Sequence, residues 1–109
     1  MSIKAITSVE EFNTEVLGND SVAVVDFWAE WCAPCMAMRP AMDAVAAKMG
    51  DTVQFFSVDA DALKEILLVH GVDGIPSLVA YKNGKEIDRI AGYKKADVLE
   101  SLLTSIVQG

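Results

Sequence analysis

The sequence predicts an α/β fold: a mixed β-sheet with helices on both faces and one antiparallel hairpin. Three observations carry this expectation. Strand-like and helix-like segments alternate along the chain, in the order β-α-β-α-β-α-β-β-α. One segment, "VAVVDFW" (Val22–Trp28), is apolar almost throughout, as suits a central parallel strand covered on both faces. Asn83-Gly84 lies between "SLVAYK" and "KEIDRI", a strong signal for a two-residue hairpin turn with both φ values positive.

Each element has local grounds. "IKAI" (Ile3–Ile6) is a short strand. "SVEE" reads as a capping box, with Ser8 as the cap and Glu11 three residues on, so a helix should run to Leu17 and stop at Gly18. After Pro34, apolar residues recur at Cys35, Met38, Met42, Val45 and Met49, one face of a helix closed by Gly50. Pro34 suits the first turn, where its missing N–H does no harm, and Pro40 should kink the helix. "VQFFSVD" (Val53–Asp59) is the next strand. "DALKEILLVHG" predicts a short helix over Asp61–Gly71. The last helix, Lys94 to Val107, should turn Val98, Leu102, Leu103 and Ile106 inward. Nothing reads as a repeat, a low-complexity tract or a linker.

Composition narrows the function classes. The 109 residues fit one domain, 1–109, and a hydrophobic content of 52% fills a core, which argues against disorder. A net charge of −7 disfavours nucleic acid and anionic membranes as partners, because the chain would repel their phosphates. The start "MSIKAITSVEEF" shows no charged region followed by an apolar one, and no apolar run approaches the ~20 residues of a membrane span. The expectation is a soluble, cytoplasmic protein, although an exported form with its signal removed would fit the same sequence.

The chemistry centres on the two cysteines, Cys32 and Cys35, in "FWAEWCAPCMAMRP". A zinc or iron–sulfur site needs about four ligands, and the chain offers two cysteines and one histidine. A c-type haem needs His directly after the second cysteine, where Met36 stands. A metal reading would therefore need carboxylates or a second chain; a buried inert pair is the other bland reading. The context favours thiol chemistry. The pair lies where a central strand passes into a helix, and ligands collect at such strand ends. Cys32 precedes the first helical turn, whose free N–H groups and dipole stabilise a thiolate. Cys35 lies one turn inside on the apolar face and should be buried. The asymmetry makes Cys32 the attacking thiol and Cys35 the resolving one.

Asp26 places a charge inside a strand expected to be covered. Burial would raise its proton affinity, so it could take and return a proton for Cys35 through water; otherwise it is a carboxylate satisfied locally. In "GIPSL", Pro76 directly before a strand is either a simple strand start or a cis proline whose backbone lies beside the cysteines and pairs with an extended peptide. Trp28 reads as core, and Trp31 as an exposed contact. Met36 is a polarisable contact or merely a helix surface position. His70 reads as a satisfied residue at a helix C-terminus.

These residues resemble the thioredoxin family along essentially the whole chain: "DFWAEWCAPC", then Met-x-Met-Arg-Pro, "GIPSL" and "KNGKEIDRIAGY". The resemblance implies a thioredoxin fold with four or five strands, and a dithiol–disulfide oxidoreductase that reduces partner proteins. Cys32 then matches the nucleophile, Cys35 the resolving thiol, Asp26 the buried acid and Pro76 the cis-proline. Trp31, Gly74, Ile75, Ala91 and Gly92, with Ala33, Pro34 and Pro76, match the surface where partners dock. No metal or organic cofactor is implied. The implied partners are disulfide-containing client proteins and a flavin enzyme, thioredoxin reductase; nothing suggests an obligate dimer, so a monomer is expected. Three positions depart from the common pattern. Ala33 replaces a frequent Gly, Met36 a frequent Lys, and Ser57 a frequent Lys beside the buried acid. The lost positive charges imply a less stabilised thiolate and a less well paired Asp26. A more oxidising disulfide oxidase or isomerase, and a non-enzymatic binding module, are the alternative readings.

Overall fold

A computed structural model describes residues 3–109. Five strands form one sheet in the order β1-β3-β2-β4-β5: β1 (Ile3–Ile6), β2 (Val22–Trp28), β3 (Val53–Asp59), β4 (Ser77–Lys82) and β5 (Lys85–Ala91). β2 is central, as expected, but it is parallel only to β3 and runs antiparallel to β4. Its side chains alternate between two cores. Ala23, Val25 and Phe27 pack with Phe12, Val16, Phe56, Leu63 and Ile66 on one face. Val22 and Val24 pack with Met38, Met42, Phe55, Leu99 and Leu103 on the other. Being covered on both faces explains why the strand is apolar at nearly every position.

The first helical segment starts with α1 (Val9–Glu11) and widens into a π-helical stretch, Phe12–Leu17. Ser8 accepts from the Glu11 N–H at 3.0 Å. The reciprocal half of the capping box is shifted by one residue. The Glu11 carboxylate accepts from the N–H of Thr7 at 2.6 Å rather than from that of Ser8. Gly18 ends the segment; a Cβ there would lie 2.5 Å from the Thr14 carbonyl oxygen, so only glycine fits.

The long helix α2 (Ala33–Met49) runs through Pro40 and buries Cys35, Met38, Met42 and Val45, the expected face. Helix α3 (Lys64–Val69) is shorter than the sequence suggested. Asp59 explains the late start. Its side chain accepts from the N–H of Asp61 at 2.9 Å, and its carbonyl accepts from Leu63 at 3.0 Å. The chain is thereby held in a turn where helix was expected. The hairpin turn has φ values of 54° at Asn83 and 81° at Gly84, as the dipeptide demands. Helix α4 (Ala96–Gln108) buries Leu99 and Leu103, with Ile106 partly covered. Of the four residues expected inward, Leu103 and Ile106 hold, whereas Val98 and Leu102 are exposed, at 40% and 37%, and Leu99 is buried instead.

Arg89 ties β5 to the end of α3. Its guanidinium donates to the carbonyls of Gly71 and His70 at 2.7 and 2.8 Å while paired with Glu86. His70 is the C-cap of α3: its backbone N–H donates to the Ile66 carbonyl at 3.0 Å, and its Nδ1 lies 3.1 Å from the Tyr81 hydroxyl.

Candidate active site

The site forms where β2 ends and α2 begins. Cys32 is the N-cap residue of α2, with φ −89° and ψ 101°. A cap needs an acceptor for the free N–H groups of the first turn, and here the sulfur serves. The N–H of Cys35 points at Cys32 Sγ from 3.3 Å. An N–H and a helix N-terminus aimed at this sulfur stabilise negative charge on it. Cys35 sits one turn inside. The two Cα atoms are 5.2 Å apart and the sulfurs are joined as a disulfide. Both residues are nearly covered, Cys32 at 5% exposure and Cys35 at 2%, with Ala29, Trp28 and Ile75 around them. Ala33 and Pro34, between the cysteines, are exposed.

A second segment closes against the pair. The Ile75–Pro76 peptide bond is cis, and the Ile75 carbonyl oxygen lies 3.8 Å from Cys32 Sγ. Ser77 Oγ donates to the Gly74 carbonyl at 2.6 Å, tying down the approach to the proline. Gly92 donates its N–H to the Pro76 carbonyl at 2.9 Å, and Ala91 sits opposite Ser77 in the sheet. The sheet therefore brings Gly74, Ile75, Pro76, Ala91 and Gly92 to the cysteine end of the molecule. Trp31 is 69% exposed, and its indole N–H donates to Asp61 at 2.8 Å. Between Trp31 and Ile75 runs a groove of about 320 Å³ that also takes in Ala60, Leu67, Val72 and Asp73. Nothing in the sequence alone joined Ala60, Leu67 or Val72 to this surface.

Asp26 lies in β2 and shares the α2 face of the sheet with Ser57, its partner in the β2–β3 register. It is 7% exposed, and its Oδ1 is buried without a hydrogen-bond partner among the described residues. Burial pushes its pKa up to about 7; the nearby Arg39 guanidinium opposes the rise and the Asp43 carboxylate adds to it. Local hydrogen bonds therefore do not satisfy this carboxyl. The poor pairing of Asp26 expected from Met36 and Ser57 is what the structure has: among the described residues the carboxyl forms no salt bridge, and Arg39 only opposes the rise in its pKa. No lysine stands at either position, yet a cation reaches the acid's surroundings from α2. Trp28 is part-buried rather than core. It packs against the cysteines on one side and carries Arg39 over its ring at 4.7 Å. Met36 is 39% exposed, at the helix surface.

A cysteine pair that closes a disulfide on itself at a helix N-terminus, beside a surface groove, defines a thiol–disulfide oxidoreductase. The thioredoxin family model matches residues 3–105. The chain is 33% identical to the thioredoxin of Porphyra purpurea over 98% of this chain and 99% of that one. It is 40% identical to the thioredoxin of Mycolicibacterium smegmatis, over 85% of this chain and 86% of that one. Among solved structures, the thioredoxin of Malassezia sympodialis superposes with a TM-score of 0.88 at 34% identity, over 96% of this chain and 90% of that one. The chain belongs to the thioredoxin family. Its activity is that of a protein-disulfide reductase working through the Cys32–Cys35 disulfide, and the redox group is the protein's own. The relatives favour this over the oxidising and scaffold readings. Membership of the family implies disulfide-containing substrates and recycling by a reductase. Among the described residues no helix is long and apolar enough to cross a membrane.

Proposed function

We propose that Cys32 is the nucleophile, Cys35 the resolving thiol and Asp26 the proton acceptor and donor of a general protein-disulfide reductase. The cap geometry carries this reading. Cys32 has an N–H aimed at its sulfur and the helix N-terminus behind it, whereas Cys35 lies inside the first turn. Cys32 thiolate attacks one sulfur of a client disulfide; a Cys32–client disulfide forms and the client's other sulfur leaves as thiolate. Asp26 carboxylate takes the Cys35 proton through water. The Cys35 thiolate attacks Cys32 Sγ, the Cys32–Cys35 disulfide forms, and the client leaves reduced by two electrons. Its departing thiolate recovers a proton from Asp26.

Trp31, Ala33, Pro34, Gly74, Ile75, Pro76, Ala91 and Gly92 form the docking surface. The apolar groove between Trp31 and Ile75 and the cis-proline segment beside Cys32 support it. An extended client segment would lie along this backbone. Thioredoxin reductase returns the two electrons, and the chain works as one domain, 1–109, as a monomer in the cytoplasm, without nucleic acid or membrane partners. Trapping tests the roles. With Cys35→Ser, client proteins should accumulate as mixed disulfides on Cys32. Recovery of none, or equal recovery through Cys35 in Cys32→Ser, sinks the assignment. Turnover by a purified thioredoxin reductase, read in the same preparation, tests the electron source.

A further inference from the structure

Asp26 faces a cavity of about 150 Å³. β1 contributes Ile3 and Ala5 to its walls, β3 contributes Ser57, and β2 contributes Trp28; none of these carries a charge. Leu78, beside Asp26 on β4, is also uncharged. Among the described residues that line the cavity around Asp26, the charges come from α2 alone. Arg39 and Asp43 are four residues apart, hence on one helix face, and both line the cavity. Arg39 makes no salt bridge among the described residues. Its guanidinium lies over the Trp28 ring at 4.7 Å, a stacking a planar cation favours.

We propose that Arg39, seated on Trp28 at the solvent side of this cavity, is the positioning residue that sets how readily Asp26 takes up and releases its proton. Among the described residues no protein group hydrogen-bonds Oδ1 of this buried carboxyl, so a cation lining the same cavity weighs on its charge. Asp43 works in the opposite sense from the same helix face. The opposed influences of Arg39 and Asp43 on Asp26 support this arrangement. Trp28 joins the device to the redox pair, because it lines the cavity and packs against Cys32 and Cys35. Arg39 acts through Asp26, not on the sulfurs. Its bearing on the reaction rests on the role proposed above for Asp26.

The test is the carboxyl titration of Asp26 by NMR in the oxidised full-length protein. Arg39 and Asp43 are exposed, so neither substitution threatens folding. Arg39→Gln should raise the midpoint, and Asp43→Asn should lower it, each by on the order of half a pH unit or more at low salt. Arg39→Lys should stay closer to wild type than Arg39→Gln. The Arg39→Gln shift should shrink at high ionic strength, because the guanidinium is solvent-exposed. A purely structural Arg39 would leave the midpoint where it is, and an unmoved midpoint in Arg39→Gln overturns the inference. The pH profile of mixed-disulfide resolution, read in the same variants, separates the two proposals. A resolution profile that follows the carboxyl midpoint upholds both. A moved midpoint with an unmoved profile leaves the Arg39 inference standing and rejects Asp26 as proton acceptor.

Discussion

The indole N–H of Trp31 donates to the Asp61 carboxylate at 2.8 Å, across 30 positions of sequence. An exposed tryptophan beside Cys32 is thereby held in one orientation. The bond links the loop before α2 to the turn after β3, and both flank the groove toward Ile75. Fixing a large apolar side chain in advance reduces the ordering cost when a partner docks.

Asp61→Ala should therefore weaken protein docking without touching the thiol chemistry. A net hydrogen bond of about 1 kcal/mol corresponds to roughly a fivefold change. We expect KM for a protein disulfide to rise by about that factor, with kcat retained. The rate toward a small soluble disulfide should be unaltered. Equal losses toward both substrates would show that Asp61 supports the cysteines instead.

Asp26 makes stability pH-dependent, with a definite sign. Its pKa is raised in the folded protein, from 3.8 to about 7. Between these values the native state keeps a proton that the unfolded chain has lost. Unfolding then releases a proton, so stability falls as pH rises from about 4 to about 7 and levels off above. The full difference is on the order of 4 kcal/mol, as an upper bound. Asp26→Asn has no such titration. In urea unfolding of the oxidised forms it should lose the slope and exceed wild type above pH 7. Parallel pH curves for the two proteins would contradict the buried charge as its source.

Gly92 and Gly74 offer a contrast at the proposed docking surface. Gly92 has a φ of +86°, and its N–H holds the Pro76 carbonyl at 2.9 Å. An added Cβ would meet only Lys94 Nζ, at an ordinary 3.7 Å, so the cost of Gly92→Ala is backbone strain. That is about 1–2 kcal/mol. Gly74 has no positive φ, and a Cβ there meets nothing within 4 Å. Gly74→Ala should stay within about 0.5 kcal/mol of wild type. Equal denaturation midpoints for the two variants would refute the strain account.

Much of the fold was legible because local physics wrote it. Asn83-Gly84 requires a tight turn, Gly18 and Gly50 end helices, and the apolar steps from Cys35 to Met49 define one helix face. The errors fall where two local readings compete. In the last helix, Val98 with Leu102 and Leu99 with Leu103 are both i, i+4 stripes. Packing of α4 against α2 and β5 selects the second. Asp61 looks like a helix start, but the Asp59 side chain claims its N–H first. Glu11 could reach Ser8 or Thr7, and the folded chain chose Thr7.

The order of residues alone established that two cysteines stand at a strand-to-helix junction, one at the cap and one inside the first turn. It determined that an acid interrupts a covered strand, and that a proline precedes another. These are local facts, fixed by spacing and by backbone chemistry. Tertiary structure decided what surrounds them. It set Ile75 against Cys32, joined Gly92 to Pro76, and laid Trp31 beside a groove built from three distant segments. It also brought Arg39 and Asp43 over Asp26, although Ser57 offers no charge there. Electrostatic and contact energies depend on distance in space, and only the packed chain sets those distances.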